Sequence, residues 1–306
     1  MNKILTSPSS FGKISPEPFN ILKNNGFQVI NNPYGRKLTE SEVVNLAKEC
    51  VGIVAGVEPL NENVLSQLKQ LKCISRVGVG MDNIDLNYAR LKNISVVNTP
   101  DGPTRSVAEF TIALTLSLLK KIPQAHNKII NKKWSKYLGN LIFGKKIGII
   151  GLGRIGKMTA KLFRNLGNVV IAYDIKPDKV WAKENQVEIV SLENLIGSSD
   201  IITIHVPGSS SESPMISSSE INNLKNGAFL VNVARGGVVD ENALYEALLA
   251  GKIAGAAIDV FKDEPYYGDL IKLDNVILTP HMGSYAKEGK LKMEIDAVNN
   301  IIKSLI

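Results

Sequence analysis

Arg235, the acid pair Asp263-Glu264 and His281 each sit just beyond an apolar run, after "GAFLVNVA", "AGAAIDV" and "NVILTP" respectively. A guanidinium can grip a carboxylate through two parallel hydrogen bonds, and an imidazole can give or take a proton at an oxygen. A carboxylate beside the imidazole can fix its orientation and favour its charged form. Such a set suits proton-coupled chemistry on a small organic acid. Spacing does not choose among Asp259, Asp263 and Glu264 as the partner of His281. Taken singly, each residue also has an ordinary reading: a surface cation, a solvated loop acid, a packed strand-end ring.

Those apolar runs are the elements that must position the set. From "KKIGIIGLG" onward, short apolar runs alternate with longer helical patterns, the mark of a parallel sheet covered by helices on both faces. Strands are expected near 147–151, 168–173, 187–190, 201–206, 227–233, 254–260 and 276–279. "DENALYEALLAGK" reads as a helix with Asp240 as its N-cap and its stop at Gly251. In a doubly wound sheet ligands bind outside the carboxyl ends of the strands, so Arg235, the acid and His281 could face one crevice.

At the head of this region Gly151, Gly153 and Gly156 form a G-x-G-x-x-G directly after a strand and at the start of a helix. A glycine triplet alone is weak evidence. Its context adds weight, since glycines permit a tight turn, close approach to a pyrophosphate and close helix packing, and the helix N-terminus favours negative charge. Asp174 ends the next run, "NVVIAYD", where a carboxylate would accept hydrogen bonds from an adenosine ribose. The combination points to NAD(H), and Asp174 should repel the extra phosphate of NADP, with Lys176 nearby softening that preference.

The first hundred residues repeat the alternation on a smaller scale. "KILTS", "FQVI", "GIVAG", "CISRVGV" and "ISVVN" are strand-like, with helices such as "ESEVVNLAKE" between them. "NTPDGPTRS" has the composition of a linker, and a long helix follows over 107–121. A last helix, about 286–306, is free to return to the first unit. The serine-rich "GSSSESPMISSSE" reads as a flexible connection.

Composition sets the outer limits. The 306 residues suggest two domains, and 44% hydrophobic with 21% charged residues is ordinary for a soluble globular chain. The formal charge of +7 is scattered in short lysine pairs without a basic helix or aromatic RNA motif, so no nucleic-acid partner is expected. Such a balance can instead draw in an anionic substrate or cofactor. Cys50 and Cys73 are too few for a disulfide framework and too far apart for a metal pair, which fits a reducing cytoplasm and no metal. Neither a signal peptide nor a membrane span is implied.

The order "GLGRIG", "NVARGG", "DVFKDEP", "LTPHMGS" resembles the D-isomer-specific 2-hydroxyacid dehydrogenases, especially their short phosphoglycerate-dehydrogenase-like branch. The likeness covers essentially the whole chain, with "RVGVGMDNID" similar to that family's substrate loop and "NTPDGPTRSVAEFTIALTL" to its dimer helix. The resemblance implies an α/β chain of two domains: a flavodoxin-like substrate domain, 1–99 plus 285–306, and an inserted Rossmann dinucleotide-binding domain, 100–284, with the active site in the cleft they share. It selects Glu264 as the partner of His281, makes His281 the acid/base, and gives Arg235 the substrate carboxylate, with backbone from Gly78, Val79 and Gly80. The cofactor contacts it implies are Val79, Val107, Gly151, Gly153, Arg154, Ile155, Gly156, Asp174, Val206, Pro207, Val233, Ala234, Asp259, His281 and Gly283, with Asp259 on the nicotinamide carboxamide.

The implied reaction is NAD-dependent hydride transfer at C2 of a small, phosphorylated or unphosphorylated 2-hydroxy/2-oxo acid. The alternatives are a glyoxylate/hydroxypyruvate or D-lactate type reductase, or an NADH-sensing, corepressor-like binding protein. Formate dehydrogenases carry glutamine where Glu264 stands. Arg76, Arg105 and the lysines of 132–136 could meet a substrate phosphate. Val107 replaces a threonine of some relatives, and "HVPGSSSESPMI" departs from the usual "HxPLTxxT". An end at Ile306 leaves no room for the C-terminal regulatory domain of longer relatives. "VAEFTIALTLSLL" is apolar around more of its circumference than one domain face needs, which together with the family's subunit contact predicts a homodimer. His205 is expected near the cofactor in a mainly structural role, and His126 on an outer helix.

Overall fold

A computed structural model describes residues 1–208 and 213–306. The chain forms two compact units, Met1–Pro103 with Ser284–Ile306, and Thr104–Gly283. The strands of the first are β1 (Lys3–Thr6), β2 (Gln28–Asn31), β3 (Cys50–Ala55), β4 (Cys73–Arg76) and β5 (Ser95–Asn98). They form one parallel sheet in the order β2-β1-β3-β4-β5, the flavodoxin-like pattern. Every residue of β3 is buried, as a central strand covered on both faces requires. The C-terminal helix Lys287–Leu305 does return to this unit, packing against β3 and β4 with Ala297, Val298 and Ile301 fully buried.

The second unit holds β6 (Lys146–Ile150), β7 (Val169–Tyr173), β8 (Glu188–Ile189), β9 (Ile201–Ile204), β10 (Ala228–Asn232), β11 (Ile253–Ile258) and β12 (Val276–Leu278). The sheet is parallel, in the order β12-β11-β10-β9-β6-β7-β8, which is a Rossmann arrangement extended by β12. The direction of strand addition reverses between β6 and β9, the position at which sheets of this kind bind ligands. All seven expected strands are present within a residue or two of their predicted ends. Asp240 caps the helix Glu241–Leu249 by accepting from the amides of Asn242 and Ala243.

Two readings need correction. The supposed linker over 98–106 is helical from Gly102, so the long helix runs Gly102–Lys120. Pro103 falls in the first turn, where a backbone N–H has no intrahelical acceptor, so the missing donor costs nothing. The serine-rich stretch is also not a simple connection: residues 209–212 lie outside the described residues, but Ser217 caps the helix Ser218–Asn223 in a capping box with Glu220. Hydrogen bonds from Ser217 and Ser219 draw the Glu220 carboxyl down to about 2.

Candidate active site

The glycine turn shows three separate steric reasons for glycine. A Cβ on Gly156 would lie 2.0 Å from the carbonyl oxygen of Gly151, so the helix Arg154–Asn165 can sit against β6 only without one. Gly151 has φ +93°, and a Cβ there would meet the His205 carbonyl oxygen at 2.7 Å. A Cβ on Gly153 would meet nothing within 4 Å. Packing therefore does not demand glycine at 153, and what its bare Cα leaves room for is the close approach of a ligand. Gly153 is also the N-cap of that helix and supplies no side-chain cap, so the helix N-terminus is open to an anion.

Asp174, just past β7, is tied to this turn. Its Oδ2 accepts from the Leu152 amide at 2.7 Å and its Oδ1 from the Lys176 amide at 2.8 Å. The carboxylate is thereby held at the lip of the glycine turn, where ribose hydroxyls would arrive. The residues present thus fit a dinucleotide. Val107, Val233 and Ala234 are buried, Ile155 and Val206 half-buried, and Pro207 exposed beyond β9, while Arg154 opens the helix at the turn.

His281 follows β12 by three residues and meets the predicted acid. Its Nδ1 lies 2.9 Å from Glu264 Oε2, with side-chain exposures of 49% and 39%, so the ring is supported on one side and open on the other. An ionised carboxylate only accepts, so the ring proton belongs on Nδ1 and Nε2 is left for chemistry. Glu264 is fixed in turn, its Oε1 accepting from the Phe261 amide at 3.1 Å. Asp263, the neighbour that spacing could not exclude, does not make this contact among the described hydrogen bonds.

The backbone at His281 is unusual, with φ +51°, a region that non-glycine residues occupy at some cost. Asp259 holds it there. Its backbone carbonyl accepts from the His281 amide at 2.8 Å, and its Oδ1 accepts from the Thr279 hydroxyl at 2.6 Å and the Met282 amide at 2.9 Å. Oδ2 accepts from the Gly283 amide at 2.9 Å, and the residue is 1% exposed. The Gly283 carbonyl is held in turn by the Ser106 hydroxyl at 2.8 Å. Sequence reasoning missed this anchoring by Asp259, Thr279 and Ser106; its one visible sign was the threonine of "LTPH".

Arg235 lies beyond β10, half-buried, with one guanidinium nitrogen donating to the Ala234 carbonyl at 2.7 Å. Gly236 brings its turn against the Glu264 loop: a Cβ there would lie 1.8 Å from the Phe261 carbonyl oxygen and 2.6 Å from the Lys262 nitrogen. The glycine pair after the arginine was visible in the sequence, but not this role. His205 packs beyond β9, Nε2 3.1 Å from the Thr203 hydroxyl, and burial lowers its pKa to about 3, so it stays neutral. That agrees with a structural part, and His126 is on an exposed helical surface as expected.

In the first unit, the 77–80 loop follows β4. The Gly78 amide donates to Thr99 Oγ1 at 2.8 Å and its carbonyl accepts from the Thr99 amide at 3.0 Å. Both polar groups of Gly78 are therefore engaged by Thr99. Val79 and Gly80 are left, their amides donating to nothing among the described residues. Of the candidate phosphate ligands, Arg76 turns inward to the Val77 carbonyl, Arg105 pairs with Glu109 at 2.6 Å, and the lysines of 132–136 are exposed.

A Rossmann sheet with a glycine turn, an aspartate held at that turn and a carboxylate-supported histidine defines an α/β protein of the dinucleotide-binding class. Residues 112–283 match the family described as "D-isomer specific 2-hydroxyacid dehydrogenase, NAD binding domain". The chain belongs to the D-isomer-specific 2-hydroxyacid dehydrogenase family and carries its NAD-binding domain. It is 40% identical over 294 residues to D-3-phosphoglycerate dehydrogenase of Archaeoglobus fulgidus, covering 94% of this chain and 55% of that protein. It is 37% identical over 276 residues to hydroxypyruvate reductase of Thermotoga maritima, covering 88% and 89%. The chain thus spans about half the length of the phosphoglycerate dehydrogenases it matches. Among solved structures, a protein of Thermus thermophilus superposes with TM-score 0.91 at 30% identity, over 99% of this chain and 96% of that one. D-lactate dehydrogenase of Aquifex aeolicus, complexed with NAD and lactic acid, gives 0.84 at 31% identity, over 98% and 94%.

Proposed function

We propose that the chain is an NAD-dependent D-2-hydroxyacid dehydrogenase of the phosphoglycerate-dehydrogenase type, acting on a small 2-hydroxy/2-oxo acid. The observation that carries this reading is the Glu264–His281 pair, 2.9 Å apart and half-exposed, on a sheet whose glycine turn fits a dinucleotide. In this reading Thr104–Gly283 is the cofactor unit and the remainder the substrate unit. The bound nicotinamide supplies or accepts hydride at the substrate C2. Arg235 binds the substrate carboxylate. His281 Nε2 gives the proton to the C2 oxygen in reduction and takes it in oxidation, while Glu264 holds the ring and balances its charge. Asp259 keeps the histidine turn in its strained conformation, so the imidazole is placed before substrate arrives.

The test is NADH consumption against a panel of 3-phosphohydroxypyruvate, hydroxypyruvate, glyoxylate and pyruvate. At least one should be reduced to the D-hydroxy acid. An inert protein that still binds NADH would overturn the assignment in favour of a nucleotide-sensing role.

A homodimer is part of the proposal. The long helix, expected to be the exposed apolar element, buries Leu114, Leu118 and Leu119 in its own unit, and the open apolar surface lies just after it. Trp134 is 88% exposed, Leu138 92% and Phe143 73%, with Ile129, Ile130 and Leu141 also exposed. These side chains would present on the order of several hundred Å² of apolar surface, a patch size that marks an interaction face. Light scattering at micromolar protein should give twice the mass of the chain. The two cysteines are buried and unpaired, and no helix among the described residues is long and apolar enough to cross a membrane; we place the protein in a reducing cytoplasm.

A further inference from the structure

The helix Glu241–Leu249 is already capped by Asp240, which accepts from the Asn242 and Ala243 amides. Its first residue, Glu241, turns its carboxylate to another part of the same unit. Oε1 accepts from the Lys262 backbone amide at 2.8 Å, twenty-one residues further along the chain. That amide belongs to the loop after β11, the loop that carries Glu264.

Two successive amides of this loop thus meet two carboxylates. The Phe261 amide donates to Glu264 Oε1 at 3.1 Å, inside the loop, and the Lys262 amide donates to Glu241, outside it. Glu264 Oε2 in turn faces His281 Nδ1 at 2.9 Å. The peptide joining Phe261 to Lys262 is also the one on which Gly236 packs, so closely that a Cβ would lie 1.8 Å from its oxygen and 2.6 Å from its nitrogen. Arg235 precedes that glycine. A single peptide is therefore gripped both by the turn of the arginine and by the helix that follows it. The Phe261 ring has a further support, stacked on Tyr266 with centroids 4.2 Å apart. A carboxylate–amide bond is charge-assisted and directional, so Glu241 fixes the rotation of this peptide in a way that packing alone does not.

We infer that Glu241 is a positioning residue for proton transfer: by holding the Lys262 amide it sets the direction of the Glu264 carboxylate, and through it the tautomer and aim of the His281 ring. The inference rests on the roles proposed above for Glu264 and His281. With the Lys262 amide held, the neighbouring Phe261 amide keeps its aim at Glu264 Oε1, which leaves Oε2 for the ring. Without Glu241 the loop keeps its packing on Gly236 and Tyr266, but its amides are free to turn and the carboxylate rotates off Nδ1.

Glu241→Ala removes the acceptor, and Glu241→Gln keeps one at the same reach. In Glu241→Ala, kcat for the best 2-oxo acid should fall about tenfold with KM changed less than about threefold, because a misaligned proton donor is felt in the transition state. NADH affinity should not change, and Tm should fall by only about 2 to 5 °C, the loss of one hydrogen bond in a unit of this size. Glu241→Gln should restore kcat to within about threefold of the unmodified protein, since its side-chain oxygen still accepts from the Lys262 amide. Long-range proton–nitrogen NMR spectra, at a pH where the ring is neutral, give a readout that needs no turnover. The His281 ring, assigned by the signals lost in His281→Ala, should carry its proton on Nδ1 in the unmodified protein and share it between Nδ1 and Nε2 in Glu241→Ala. In a Glu264→Gln background, Glu241→Ala should lower kcat by less than about twofold further, since the two residues act in series. A native kcat or a native tautomer in Glu241→Ala overturns the inference, as does an equal loss in Glu241→Gln, or the full loss repeated in the Glu264→Gln background. Parallel loss of Tm, NADH binding and kcat would show Glu241 to be only a folding residue, and also overturns it. Should the unmodified protein bind NADH but reduce no 2-oxo acid, the dehydrogenase reading fails, while the tautomer of His281 in Glu241→Ala still decides the inference.

Discussion

Alanine at Gly153 and alanine at Gly156 are the same chemical change three residues apart, and the structure predicts opposite outcomes. At 156 the new methyl would lie 2.0 Å from the Gly151 carbonyl oxygen and 3.0 Å from its carbon, both backbone atoms of the turn. Neither can move without shifting the helix Arg154–Asn165 away from β6. Overpacking of that kind costs roughly 1–3 kcal/mol or more, a fall in Tm of about 2 to 12 °C for a unit of this size. At 153 the methyl meets no protein atom within 4 Å, and the backbone there, φ −74° and ψ −161°, suits any residue. The stability cost is that of a poorer N-cap, about 0.5–1 kcal/mol. The methyl would, however, occupy the space in which a pyrophosphate must approach the helix N-terminus. Losing one charge-assisted hydrogen bond there is worth about 1.5–3 kcal/mol, which is roughly a ten- to hundredfold rise in the dissociation constant of NADH. Differential scanning calorimetry and NADH fluorescence titration on both variants decide the matter. Native NADH affinity in Gly153→Ala, or equal losses of stability in the two variants, would refute the placement of the pyrophosphate at this turn.

The site makes three further outcomes measurable. His281→Ala should lower turnover of the best 2-oxo acid by roughly 10²- to 10⁴-fold with NADH affinity retained, and a near-normal rate would remove His281 from the proton transfer. The unmodified protein should prefer NADH to NADPH, and Asp174→Ala should narrow that preference, because the carboxylate held at 2.7 Å from the Leu152 amide no longer repels the extra phosphate; equal affinity for both cofactors before mutation would contradict it. Burial of His205 lowers its pKa to about 3, whereas the unfolded side chain titrates near 6.5, so the unfolded state alone takes up a proton as pH falls below that value. Stability should therefore drop by about 2 kcal/mol between about pH 6.5 and 5 from this residue, and His205→Gln should flatten that part of a chemical-denaturation profile; an unchanged slope would show that His205 can be protonated in place.

Much of the protein was legible in the chain because the signals are local. An apolar run between turn residues marks a strand whether or not its neighbours are known, and all seven strands of the second sheet were placed this way. The glycine triplet and Asp174 stand at fixed offsets along one strand-turn-helix, so the dinucleotide turn was also within reach. Local signals misled where a residue type has two uses. Pro103 and the serines near 217 both suggest loops, yet a proline without its N–H and a serine with a free hydroxyl are equally at home at a helix N-terminus, and only the surrounding chain decides.

What spacing left open, the folded chain settled through contacts between residues distant in sequence. Glu264 rather than Asp263 meets His281 because the loop after β11 and the turn after β12 end side by side on adjacent parallel strands. Asp259 became the anchor of the histidine turn through donors more than twenty residues away. Thr99, on the loop after the neighbouring strand β5, engages both the amide and the carbonyl of Gly78. Glu58, in "GVEPL", carries no local sign of burial; it is enclosed where β1 and β3 end, with Ser7 and the Gly56 amide donating to it. A sequence states which groups are available and how often they point the same way. Burial and hydrogen-bond partnership arise only when strands from different parts of the chain take their register, and it is these that decide which carboxylate orients a ring and which anchors the turn that carries it.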